Sequence, residues 1–225
     1  MYGTRPVSRA SSNSIDIEVN EWPVLVQPQS HATKASLNDQ LNDYNNNGGA
    51  KVYIFTSTTS ADGVYNLWKK LDYTFDGDQM FSQTPQRWSL LPDATQSLQV
   101  FVAAPNDVVS NMMPADIARI EVSNILLSQS DIVVAEATVS ESAFRTSIPL
   151  AFKHILTAIQ FKAGFDCTIK SISLSNICLS GSYASQQWTS TNSQNINFQD
   201  LNIEAKEGQF ITFPSLGSTN TLLMI

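Results

Sequence analysis

The sequence has little charge: Lys, Arg, Asp and Glu make up 15% of its 225 residues, against about 25% in an average globular domain. Basic residues are the scarcer sign, with 13 Lys and Arg against 20 Asp and Glu, and the net charge is −7. A nucleic acid or an anionic membrane surface is bound through a basic face that neutralises phosphates. The charge balance therefore argues against both kinds of partner.

Long apolar runs are missing as well. One of the longest, Leu222–Ile225, is far below the roughly 18 residues of a membrane-spanning helix. Residues 1–14 are polar, carry Arg5 and Arg9, and lack the apolar stretch of a secretory leader. The sequence predicts no membrane span. It leaves two alternatives open, an intracellular protein or one whose leader has been removed.

Histidine and cysteine are too few for most catalytic or metal sites. The two cysteines, Cys167 and Cys178, have neither C-x-x-C nor zinc-knuckle spacing, and we favour two small buried thiols over a disulfide. His31 lies in a polar segment, whereas His154 lies in an alternating apolar segment where a hydrogen-bonded structural imidazole is expected. A zinc site that joins His154 to the cysteines has no supporting ligand spacing.

No nucleophile elbow, P-loop or dinucleotide fingerprint occurs either. Two of the 20 acids could meet in space as a glycoside-hydrolase pair, which is only a background alternative. Asp72, Asp76 and Asp78 resemble a calcium loop superficially, but the terminal glutamate is missing. We therefore predict no enzyme, no cofactor and no metal.

Alternation of apolar and polar residues, with a period of two, dominates what is present. Ser, Thr, Asn and Gln replace the missing charge, and they suit the solvated face of a strand. Asp76-Gly77-Asp78 predicts a hairpin turn. The predicted strands are Ile15–Asn20, Lys51–Thr56, Leu71–Phe75, Met80–Phe81, Trp88–Pro92, Leu98–Ala104, Asp131–Ala135, Ile148–Phe161, Ile169–Leu179, Phe210–Phe213 and Thr221–Ile225.

Several predictions concern how these strands are interrupted and joined. The apolar parity changes near His154 and again at Ser175–Asn176, which indicates bulges, and Gly181 is the expected end of the second of these strands. Phe210–Phe213 and Thr221–Ile225 are expected to form a hairpin around residues 214–220.

One helix is a candidate, at Pro114–Ile125, with a loop into a strand at 125–127 as the alternative. Many short strands at even spacing favour an all-β protein built of Greek-key β-sandwiches. The polar segment Glu136–Ser147 is the candidate boundary, which divides the chain into domains 1–145 and 146–225.

The four tryptophans allow two interpretations. Each is expected to be a core or interdomain anchor; in an exposed row they would form a stacking platform for sugar rings. They are Trp22, Trp68, Trp88 and Trp188. A monomeric surface glycan-binding module is therefore the alternative function.

Four segments resemble landmarks of the fimbrillin-like family of bacterial surface proteins, in the family's order. They are Phe101–Pro105 (aromatic-x-Ala-x-Pro), Asp131–Ala135 (Asp-Leu-hydrophobic-x-Ala), the histidine-containing Pro149–Phe161, and Ile172–Tyr183 followed by Trp188. Thr157 stands where the family usually has Ala. The resemblance spans about residues 50–225 and rests on the order of the landmarks more than on any one of them.

This resemblance implies a non-enzymatic pilus subunit or fimbrillin-like adhesin with two transthyretin-like β-sandwiches. It implies a lipoprotein leader and possible lipid anchor in the precursor, a place on the outer-membrane surface or fimbrium, and as partners other pilus subunits and a host or bacterial surface receptor. Assembly in the family inserts a donor strand into a groove that opens when an Arg-directed protease removes the first strand. Arg5, Arg9 and Arg145 are the candidate processing sites.

The chain also departs from the family pattern. Family members usually continue beyond the equivalent of Leu222–Ile225 with several more strands. We therefore expect the second sandwich to be incomplete, which would affect the chain's own supply of a donor strand.

Overall fold

A computed structural model of the chain describes residues 15–20, 41–58, 65–77, 79–82, 84, 90–106, 119–125, 131–143, 148–184, 186–213 and 222–225. Within these ranges the protein is all-β, as the sequence predicts. The strands are β1 Ile15–Asn20, β2 Ala50–Ser57, β3 Asn66–Asp76, β4 Gln79–Phe81, β5 Ser97–Ala104, β6 Arg119–Val122, β7 Val133–Ser140, β8 Lys153–His154, β9 Thr157–Ala163, β10 Cys167–Ile169, β11 Ile172–Ala184, β12 Gln187–Phe198, β13 Ile203–Ala205 and β14 Leu222–Met224. Two 3₁₀ turns are Tyr44–Asn47 and Glu141–Ala143.

Every described strand pair is antiparallel. The six-stranded sheet has the order β4-β3-β2-β5-β7-β8. Two three-stranded sheets have the orders β1-β9-β14 and β12-β11-β6, which we call the β9 sheet and the β11 sheet, and β10 pairs with β13.

The six-stranded sheet is apolar on both faces at its centre. All of β5 is buried except Gln99, which is half-buried. Tyr53 and Phe101 point into a core shared with the β9 and β11 sheets. Val52 and Val102 point the other way, into a second core that includes Tyr44 and Phe152. This is why the sequence of β5, SLQVFVAA, does not alternate cleanly.

The hairpin predicted at Asp76–Asp78 is confirmed by the β3–β4 ladder, in which Asp76 pairs with Gln79. Gly77 has φ 61°, the left-handed conformation that such a turn requires. The preceding 3₁₀ turn is tied to this strand because the Asn45 side chain exchanges two hydrogen bonds of 2.8 Å with the backbone of Phe75.

Two predictions of local structure are wrong. The helix proposed over Pro114–Ile125 is a strand, β6, at 119–122, where Ile120 and Val122 are buried and Arg119 is exposed; its first part, 114–118, lies outside the described residues. Of the strand proposed over Trp88–Pro92, residues 90–92 are not in a strand, and residues 88–89 lie outside the described residues. The spacing of Ile117 and Ile120 suggested a helix, but the alternation of Ile120 and Val122 with polar residues is the pattern that the structure follows.

The continuous strand proposed over Ile148–Phe161 is also wrong, and so is the bulge predicted near His154, because the strand is broken there. Residues 153–154 form β8 in the six-stranded sheet, and residues 157–163 form β9 in another sheet. The parity change marks the point where the chain passes from one sheet to the next.

The bulge predicted at Ser175–Asn176 is confirmed: the β11–β12 register shifts between Leu174 and Ile177, and Asn176 has φ 59°. The end predicted at Gly181 is wrong, because β11 continues to Ala184. Gly181 permits a close approach of the hairpin strands, since a Cβ there would lie 2.9 Å from the Thr189 carbonyl oxygen.

The terminal hairpin is wrong in its pairing. Phe210 pairs with Lys162 of β9, and Leu222 pairs with Ile159 of the same strand. β1 pairs with both Ile159 and Lys162 along one edge of β9. Phe210 and β14 therefore both lie along the opposite edge of β9, one after the other, and do not pair with each other.

Three ladders join residues on either side of position 145: β1 with β9, β6 with β11, and β7 with β8. A boundary between residues 145 and 146 would run through all three ladders. The division into 1–145 and 146–225, the Greek-key connections and the transthyretin-like detail stay predictions.

Candidate functional site

The four landmark segments meet at one place, which we call the His154 junction. Ala104, near the end of the first landmark, pairs with Val133 of the second, and Val133 pairs with His154 of the third. The Trp188 indole donates a hydrogen bond to the carbonyl oxygen of Ile155, 2.5 Å away. Segments that are far apart in sequence are therefore joined at the crossing between sheets.

Asp131 lies at the centre of the His154 junction. Its Oδ2 accepts a hydrogen bond of 2.7 Å from the Tyr44 hydroxyl and lies 2.5 Å from Nδ1 of His154. Tyr44 lies in the 3₁₀ turn, Asp131 lies two residues before β7, and His154 lies in β8. The carboxylate thus ties the 3₁₀ turn to the paired strands β7 and β8.

The surroundings of the junction favour a structural role over catalysis. The His154 side chain is 4% exposed, which leaves little surface for a substrate to reach. Burial, and then the charge and hydrogen bond of Asp131, raise the pKa of the Tyr44 phenol far above its usual range. The phenol therefore remains a neutral donor. The hydrogen bond predicted for the His154 imidazole is confirmed, and its structural role stays a prediction.

Trp188 is a packing anchor. Its ring meets Tyr183 edge to face at 5.4 Å, and its indole N–H is used at the junction. Burial, with a smaller contribution from Glu136, raises the pKa of Tyr183 to about 12. Trp68 is half-buried in β3, in another sheet. Trp22 and Trp88 lie outside the described residues, so a row of four stacked rings is not tested.

The other candidate residues form no cluster. Cys167 and Cys178 are free, half-buried thiols, which agrees with the prediction that they do not pair, although they are less buried than expected. Within the described ranges, no three His, Cys, Asp or Glu residues are close enough together to hold a metal ion. His31 lies outside those ranges.

The edge of the β9 sheet is the second feature of interest. β1 is paired with β9 over six residues, from Ile15 opposite Ala163 to Asn20 opposite Ala158. The first strand predicted from the sequence is therefore confirmed. Among the described strands β1 pairs with β9 alone, and it lies at the edge of the sheet. Its neighbour in the sheet, β9, contributes Ala158, Phe161 and Ala163 to the main core.

The candidate processing sites lie outside the described residues. In the sequence, Arg5 and Arg9 precede β1, and Arg145 follows the 3₁₀ turn that ends at Ala143.

Tyr44 was missed by the sequence analysis, since it stands in an Asn-rich segment that looks like a plain loop. Asp131 was noticed as a landmark only. None of the helical segments in the described ranges is long and apolar enough to cross a membrane.

Comparisons with known proteins place the chain in a family. The model of the family described as fimbrillin-like matches residues 33–224, most of the chain. No curated protein matches, and no solved structure matches. The match supports a role of the fimbrial-subunit kind at the cell surface, in a family that is generally structural and not enzymatic. The chain belongs to the fimbrillin-like family.

Proposed function

We propose that the protein is a non-enzymatic fimbrial subunit that assembles with other subunits by donor-strand exchange at β9. The position of β1 carries the proposal: it is an edge strand, paired in the described residues with β9 alone. A strand held on one side can leave without breaking any other ladder of the described residues. The vacated edge is then a template of unpaired backbone groups for a strand of another subunit.

The exchange is close to balanced in energy. Six residue pairs are lost with β1 and six can be regained with the donor, at a net contribution of about 0.5–1.5 kcal/mol for each hydrogen bond. The incoming strand gains affinity where its side chains pack well against β9, and the sequence of β1 alternates Ile15, Ile17 and Val19 with polar residues. A donor with the same period-two apolar pattern is expected.

Proteolysis would act differently at the three proposed sites. Cleavage after Arg5 or Arg9 would shorten the segment ahead of β1 and leave β1 on the chain. Cleavage after Arg145 would separate β7 from β8 in sequence. We propose trimming at Arg5 or Arg9, followed by displacement of an intact β1. Identical amino termini before and after exposure to an Arg-specific protease would refute the trimming.

A cystine lock across β1 and β9 tests the exchange. Asp16 and Lys162 are opposite each other in the ladder, and the Cα separation of such pairs, about 4.5–5.5 Å, suits a disulfide. The variant Asp16→Cys/Lys162→Cys is made with Cys167→Ser and Cys178→Ser to remove competing thiols. The Asp16→Cys variant in the same background is the control.

The expected result is that the oxidised double variant stays monomeric on an unheated SDS gel. After reduction it should form the same detergent-resistant polymers as the control. Polymers that form equally well with the lock closed would refute exchange at β9.

The proposal extends to surroundings that go with this role. We place the assembled subunit on the outer-membrane surface, with a lipid anchor in the precursor and a host or bacterial surface receptor as the adhesive partner. Family membership supports a cell-surface fimbrial protein. Labelling of intact cells with an antibody against the chain, with and without surface protease, checks this location.

A further inference from the structure

The edge of the β11 sheet carries a strand without charge. β12 is 12 residues long, about twice the length of an average strand, and it pairs in the described residues with β11 alone. No charged residue occurs anywhere from Ser171 to Gln199, a stretch that includes the whole hairpin. β12 also contains no proline. Charge and proline, two of the usual devices that keep edge strands from pairing with other chains, are therefore absent from β12.

The other described edges do not share this property. β4, β8, β10, β13 and β14 are three residues long or shorter. β1 carries Asp16 and Glu18, and β6 carries Arg119 and Glu121. The part of β3 that extends beyond β4 carries Lys69 and Lys70. β12 is the only long uncharged edge in the described part of the chain.

The middle of β12 is accessible on both faces. Ser193, Gln194 and Asn195 are consecutive and all exposed, although consecutive side chains of a strand point to opposite faces. Ser175 and Asn176, in the bulged part of β11 nearby, are exposed too. The side chains of residues 193–195 are therefore accessible, although Ile177, opposite Gln194, packs against the main core. A second strand could lie beside β12 without displacing other described elements.

We propose that β12 is a self-association edge, which pairs antiparallel with β12 of a second copy of this chain around Gln194. A twofold axis at Gln194 places residue 193 of one chain opposite residue 195 of the other, so an edge that carried charges of one sign there would repel its own copy. β12 avoids this, and its Ser and Asn side chains can hydrogen-bond to one another across the pair. The contact is separate from the β9 edge, so the inference does not depend on strand exchange.

Charge placement at positions 193 and 195 tests this register. With the axis at Gln194, residue 193 of one chain lies opposite residue 195 of the other. Ser193→Lys/Asn195→Lys therefore sets Lys against Lys twice. Ser193→Lys/Asn195→Glu introduces the same number of charges but sets Lys against Glu. Sedimentation velocity over a concentration series measures association of the whole chain, and the thermal transition checks that each variant is folded.

We expect the unmodified chain to form a reversible dimer. The dissociation constant of the Lys/Lys variant should be larger by at least about tenfold, whereas the Lys/Glu variant should still dimerise. A monomer at all concentrations for the unmodified chain would overturn the proposal. So would equal association of the two variants, whether both dimerise or both fail to. The oxidised Asp16→Cys/Lys162→Cys chain should still dimerise, which separates failure at β12 from failure of strand exchange.

Discussion

Removing the Asp131 carboxylate should destabilise the protein far more than removing an exposed carboxylate. Asp131 Oδ2 contacts both the Tyr44 hydroxyl, at 2.7 Å, and His154 Nδ1, at 2.5 Å. Asp131→Ala takes this acceptor away from two groups that are largely buried. Each buried donor that loses its partner costs about 1–3 kcal/mol. The expected loss of unfolding free energy is therefore about 2–6 kcal/mol.

Tyr44→Phe isolates one of the two contacts. It removes a hydrogen bond to a charged group, which is worth about 1.5–3 kcal/mol. In the double variant Asp131→Ala/Tyr44→Phe, the phenol can no longer be left without its acceptor. The double variant should therefore be more stable than the sum of the single losses predicts, by about 1–3 kcal/mol.

Urea unfolding followed by tryptophan fluorescence measures the unfolding free energy of the unmodified chain, the two single variants and the double variant. Asp72→Ala is the matched control: Asp72 accepts a hydrogen bond from Lys51, but its side chain is 66% exposed. A surface pair of this kind contributes about 0–1 kcal/mol. A loss for Asp131→Ala no larger than that for Asp72→Ala, or strict additivity in the cycle, would refute the role assigned to the His154 junction.

Three further predictions concern single positions. Gly49→Ala should cost more than about 2 kcal/mol, because Gly49 has φ +75° and its Cβ would lie 2.2 Å from the Tyr73 carbonyl oxygen; urea unfolding measures it, and an unchanged midpoint would contradict the geometry. Because the folded pKa of Tyr183 is raised to about 12, the stability that its neutral phenol provides is complete below pH 10 and is lost as the pH rises to 12. Tyr183→Phe should therefore lose less stability than the unmodified chain over that interval, and parallel losses would contradict this. Trp188→Phe removes the donor to Ile155 and should cost about 1–3 kcal/mol, measured by thermal unfolding followed by circular dichroism; a loss below 0.5 kcal/mol would mean that the indole N–H contributes nothing.

Alternation allowed the individual strands to be predicted wherever one face is wet or the turn is distinctive. Ile15–Asn20 is β1 with the predicted bounds, and the Asp-Gly turn and the bulge near Asn176 were both found. The four-residue β6 was misassigned because the spacing of Ile117 and Ile120 also fits a helix turn, and a strand this short gives few alternations to oppose it.

The arrangement of the strands could not be predicted in the same way. Alternation shows which side chains share a face but not which sheet receives the strand. The parity change near His154 was therefore interpreted as a bulge within one strand, whereas the chain passes there from one sheet to another. The His154 junction could not be predicted for the same reason. Tyr44 and Asp131 are 87 positions apart in the sequence, and only the packing of the sheets brings them together. The landmark residues predicted the family, and the structure shows that the four landmark segments meet at the His154 junction.

The central claim is that the chain is a subunit that polymerises through exchanged strands. Protein sheared from the surface of the cells that make it is divided, and unheated and boiled portions are run on one SDS gel, with detection by an antibody against the chain. An inserted strand is part of a subunit's core, so it resists detergent until heat unfolds the subunit. The account predicts a ladder in the unheated lane that collapses to one band on boiling. A single band at the monomer position in both lanes would contradict it.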